Sequence, residues 1–144
     1  MKRWLAMVGL LFALAAPLSS NAMDSITTAD VIAIREAVES QLKALSHDDA
    51  DGAFRLATPK QRMMIGSASQ FLNIIKEHYP PIYHYESAIF FPAEIVDGDP
   101  VQMVRLADDQ GKVWIAVFRM QQQEEDSSWK IDGCFLFETT SVST

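Results

Sequence analysis

EHYPPIYHYE, residues 77–86, is where the hydrophobic period of this chain changes, and its reading decides the fold. Upstream, Phe71, Ile74, Ile75 and His78 recur at i, i+3, i+4 and i+7, the spacing of one helix face, which turns His78 inward with its neighbours. Pro80 and Pro81 donate no backbone hydrogen bond and push the residue before each toward an extended conformation, so the helix must stop near Tyr79. From Ile82 the period becomes two. Tyr83, Tyr85, Ser87, Ile89 and Phe91 fall on one face, and His84, Glu86, Ala88 and Phe90 on the other, which predicts a strand starting at the corner. The same stretch holds all three tyrosines and two of the three histidines, so it is either a binding site or an aromatic joint between helix and strand.

Toward the N-terminus the helical period continues. Val31, Ile34, Val38, Leu42 and Leu45 draw an apolar stripe down a first helix that opens at Thr28. Asp49 can cap a short second helix whose Ala50, Ala53, Phe54 and Ala57 share one side. Thr58-Pro59 ends it and starts the next turn, with proline where its missing N–H costs nothing. Gly66 interrupts, and Ser67 with Gln70 three residues later forms the capping pattern that opens the third long helix.

Toward the C-terminus the period stays at two. Asp97-Gly98-Asp99-Pro100 reads as a turn, residues 101–107 as a strand, Asp108-Asp109-Gln110-Gly111 as a hairpin loop, residues 112–120 as a strand, and residues 129–137 as the last one. Val113, Ile115 and Val117 oppose Trp114, Ala116, Phe118 and Met120, so the 112–120 strand is apolar on both faces. The tail from Glu138 has little to bury. The order predicts an α+β domain: three N-terminal helices packed on a curved four-stranded antiparallel sheet around one core.

Residues 1–22, MKRWLAMVGLLFALAAPLSSNA, carry a basic start at Lys2 and Arg3, an apolar run of about 13 residues that is short of the roughly 20 a spanning helix needs, and a small-x-small site at Ser20-Asn21-Ala22. They predict a secretory leader cleaved near Ala22, and a periplasmic or secreted single domain over residues 23–144. Loss of Lys2 and Arg3 leaves ten basic against nineteen acidic residues, a formal charge of −9. Such a balance repels phosphate backbones and anionic lipid, so neither nucleic acid nor a membrane surface is an expected partner. Cys134 is the one cysteine, which excludes an internal disulfide.

YPPIY (79–83), GKVWIAVFRM (111–120) and WKIDGCFL (129–136) together resemble the signature stretches of a bacterial family known as domain of unknown function 4864, over about residues 31–137. The order of elements is also similar to the nuclear transport factor two-like cone, a helix-lined curved sheet with a pocket at its wide end. The first resemblance implies no activity. The second implies a fold that serves isomerases, dehydratases, ligand carriers and dimerisation modules alike.

The candidate ligand-binding residues are Tyr79, Tyr83, Tyr85, His78, Trp114, Asp132 and Cys134. The tyrosines and an imidazole near a cavity mouth could grip a carboxylate or carbonyl, or could merely fill the space a proline corner leaves. Asp132, between Ile131 and Gly133 in an apolar strand, would act as a base if buried, with Arg105 as a cross-sheet partner, or would simply mark a wet strand edge. Cys134 would need His78 or His84 beside it to be a nucleophile, and is otherwise a small buried apolar residue. His78, His84 and Glu86 lack the compact spacing of a metal site, and no cofactor fingerprint is present, so neither metal nor cofactor is expected. A pocket walled only by Trp114, Phe118, Phe71 and Ile74 would favour a small apolar ligand or no ligand. The expected function is a non-catalytic small-molecule-binding or assembly module, with a homodimer through the outer sheet face as one form; the alternative is an isomerase- or hydrolase-type pocket enzyme using Asp132 and the 79–85 tyrosines.

Overall fold

Thr27 accepts a hydrogen bond from the Asp30 backbone while the Asp30 carboxylate accepts from the Thr27 N–H, a reciprocal cap that starts helix α1 (Thr28–Ser46). The computed structural model describes residues 25–139. The leader expected over residues 1–22 lies outside them. Ile34, Val38, Leu42 and Leu45 of α1 are at most 1% exposed, and each such burial is worth about 1.5–3 kcal/mol over leaving the side chain in water. Three further helices begin on side-chain caps: α2 (Ala50–Phe54) on Asp49, α3 (Pro59–Ile65) on Thr58 and α4 (Ala68–His78) on Ser67. A last short helix, α5 (Pro80–Tyr83), follows with no side-chain cap.

Among the described residues five antiparallel strands follow: β1 (Ser87–Phe90), β2 (Glu94–Val96), β3 (Asp99–Ala107), β4 (Val113–Gln122) and β5 (Trp129–Glu138). They form one sheet in the order β1-β3-β4-β5, with β2 also paired to β3. Asp97 (φ 52°) and Gly98 (φ 85°) both take the left-handed conformation of a two-residue hairpin between β2 and β3. Between β1 and β2 the ladder breaks, and the fully buried Gln102 side chain patches it by donating from Nε2 to the Phe91 carbonyl at 2.5 Å and the Met103 carbonyl at 3.0 Å.

The helices cover one face of the sheet. Val104, Leu106, Ala116, Phe118, Met120 and Ile131 point into that core and are at most 4% exposed. On the opposite face Ile89 is 50%, Phe135 51% and Phe137 56% exposed. Both sides of β4 are indeed apolar, but only its inner side is covered among the described residues.

Two expectations about the corner are corrected. The strand expected from Ile82 begins at Ser87, because Pro80 and Pro81 occupy the first turn of α5, where fixed φ suits a helix and the missing N–H is not needed. The prolines end one helix and start another. Tyr83 and Tyr85 therefore do not share a strand face. Among the described residues there are five helices and five strands, where the sequence led to three and four: Pro59 and Pro80 each open a short helix, and the break after Phe90 splits the first expected strand.

Candidate functional site

Helix α4 rests on α2, with α3 and α5 at its two ends, and its apolar side faces β4 and β5 across a gap. The gap is a cavity of about 190 Å³. Phe71, Ile74 and Ile75 of α4 form one wall, Phe118, Ile131 and Cys134 of the sheet the other. The polar groups at its boundary are Gln41 from α1, Gln61 from α3, Tyr79 from the turn after α4, and the Cys134 thiol. No charged side chain lines it.

A bulge in β5 shapes the sheet wall. Met120 pairs with Ile131 and Phe118 with Cys134, so Asp132 and Gly133 together oppose the single residue Arg119. Gly133 has φ +134°, a backbone region that side-chain-bearing residues rarely occupy, and it turns toward the cavity beside Gln61. The bulge carries Asp132 away from the cavity.

There the Asp132 carboxylate accepts from the Thr58 hydroxyl at 2.7 Å, and its backbone carbonyl accepts from Gln61 Nε2 at 3.2 Å. Thr58 is fully buried, donates its N–H to the Ile131 carbonyl at 2.9 Å, and accepts from the Gln61 N–H as the cap of α3. Asp132 thus ties the α2–α3 turn to β5. Arg105 lies elsewhere, paired across the sheet with Ile89 and Ile115, so the cross-sheet partnership with Asp132 does not form.

The three tyrosines of the corner go to three places. Tyr79 lines the cavity. Tyr83 points to the surface, where its hydroxyl donates to Asp48 at 2.6 Å and its ring stacks on His84 with centroids 5.5 Å apart. Lys76 joins them, 3.6 Å from Asp48 and 5.3 Å from the Tyr83 ring centre. Tyr85 is half-buried in an open groove against α1, and burial, then the nearby Glu39 charge, raises its phenol above the ordinary value of 10.0.

His78 corrects the helical expectation. Its side chain is 69% exposed, because Tyr79, swung by the turn after α4, takes the place at the cavity that the i+7 position would have filled. His84 is exposed as well, so neither imidazole reaches Cys134. Burial pushes the Cys134 thiol up to about 12, which keeps it protonated and a poor nucleophile at neutral pH. Trp114 packs against the core but does not line the cavity, so of the four expected wall residues Phe71, Ile74 and Phe118 are found there. Among the described residues no three His, Cys, Asp or Glu side chains converge as a metal-binding group.

Gln41 and Gln61 escaped the sequence reading. A signal was present for Gln41: it stands three residues after Val38 and four before Leu45, a polar residue inside the apolar stripe of α1, and it is 3% exposed. Gln61 carried none, since its neighbours Met63 and Met64 are among the most exposed apolar residues.

The sequence profile of the family described as Domain of unknown function (DUF4864) matches residues 27–144. Neither a curated protein nor a solved structure matches the chain. No helix among the described residues is long and apolar enough to cross a membrane.

Proposed function

Because the chain belongs to the DUF4864 family, whose description assigns no activity, we propose a function from its own cavity: it is an exported, non-catalytic module that binds a small apolar molecule between α4 and the inner sheet face. The observation that carries this reading is the make-up of the cavity walls, seven of whose side chains are isoleucine or phenylalanine and none ionised. A cavity of about 150 Å³ lined by apolar groups takes up benzene, and this one is of that order. The pocket-enzyme alternative needs a base at the cavity, and Asp132 is instead engaged with Thr58.

Benzene-sized probes test the reading. Toluene or phenol bound in the folded state alone raises the melting temperature by mass action. Replacement of Cys134 by Phe fills the space and removes the rise. A panel of such probes that leaves melting untouched in the unaltered protein refutes the cavity as a binding site.

A second reading, assembly of two copies through the outer sheet face, is favoured by one observation. Ile89, Phe135 and Phe137 present an apolar patch there that no element among the described residues covers.

A further inference from the structure

Two glutamines, Gln41 and Gln61, stand at the boundary of the cavity. Gln41 Nε2 donates to the Ala53 carbonyl at 3.1 Å, and Gln61 Nε2 donates to the Asp132 carbonyl at 3.2 Å. Each pairing fixes the amide, because a flipped side chain would set two carbonyl oxygens against each other. Both Oε1 atoms are therefore held away from those carbonyls, and no donor among the described residues is paired with either. Gln41 is 3% exposed and lines the cavity among apolar side chains, so a ligand there is the nearest source of a donor for its Oε1. A ligand that fills the cavity without supplying a donor leaves such an acceptor empty at a cost of about 1–3 kcal/mol, and one that supplies a donor avoids that cost.

We infer that the cavity is specific for a small neutral molecule carrying a hydroxyl or N–H donor, which it presents to Gln41 Oε1 with Gln61 Oε1 as a second acceptor. This rests on the ligand-binding reading above and adds the ligand's polarity to it. Carboxylates are excluded on two counts: they bring acceptors to acceptors, and no cation lines the cavity to offset the loss of water around a buried charge. Tyr79 does not alter the preference, since a phenol can donate or accept. A donor-bearing ligand has the opposite hydrogen-bond polarity to the carboxylate or carbonyl expected at the corner tyrosines, and the groups that would set it lie outside the corner.

Three benzene-sized probes separate the possibilities by titration calorimetry on the unaltered protein. Phenol donates, anisole keeps the ring and oxygen but only accepts, and benzoate is charged. The expected result is phenol binding roughly fivefold or more tightly than anisole, with benzoate weaker than both. In Gln41→Leu the advantage of phenol over anisole disappears while anisole still binds. Since that change also removes the donor to Ala53, Gln61→Leu is run beside it and is expected to reduce the same advantage, and the unaltered protein is informative without either variant. Anisole or benzoate binding as tightly as phenol overturns the donor preference and leaves the cavity reading standing. Failure of all three to bind overturns both.

Discussion

The Tyr83 hydroxyl proton is committed to Asp48, a residue held in the left-handed region at φ 56°. That hydrogen bond, more than the Lys76 charge, holds the Asp48 carboxyl below its ordinary value of 3.8, and it raises the Tyr83 phenol above 10.0. The sign follows for each. A depressed carboxyl adds stability that is present above pH 3.8 and lost as pH falls through the lowered value; a raised phenol adds stability that is present below pH 10.0 and lost as pH climbs through the raised one. Both groups are at the surface, so the effect is small. Tyr83→Phe is expected to melt slightly lower than the parent between pH 5 and 9, with the difference closing toward pH 3, and to bind cavity ligands unchanged. Thermal melts across pH check it, and altered ligand affinity would place Tyr83 at the site after all.

Thr58 does the most for the arrangement of elements. Its hydroxyl donates to Asp132 and caps α3, while its backbone joins Ala57 in bridging to Ile131 alongside β5. Thr58→Val keeps the shape, removes the hydroxyl, and leaves a part-buried carboxylate without its donor, at an expected cost of about 1–3 kcal/mol in urea unfolding. Thr58→Ser should recover most of it. Asp49, Thr58 and Ser67 were readable as helix starts because a cap is a local matter of residue type and spacing. Helix α5 was not readable, because a proline pair is compatible with both an extended corner and a helical first turn, and only the packing of Pro81 and Ile82 into the core selects the second. The bulge was not readable either. A period of two cannot register an extra residue until the partner strand is known: it puts Asp132 and Cys134 on one face, whereas the bulge at Gly133 shifts the phase between them.

For the whole molecule, the layered arrangement of helices on one side of an antiparallel sheet was legible from the change of period at residues 77–86. The polar character of the cavity was not, because Gln41 and Gln61 meet only through contacts between helices and sheet that are far apart in sequence. The outer face makes a prediction at this scale. If two copies meet there, sedimentation should give twice the chain mass at micromolar concentration, and Phe135→Lys with Phe137→Glu should return the monomer without lowering the stability of the fold, since both side chains are half exposed. A monomer in the unaltered protein rejects that reading. The bridge from Ala57 to Ile131 has a bearing on how such a pair can be built. Together with the bulge it blunts one margin of the sheet, and β1 and β2, four and three residues long, leave little backbone to offer at the other. Growth by adding strands from a neighbour is thereby discouraged, so copies of this chain can stack but have poor means to zip into a continuous ribbon.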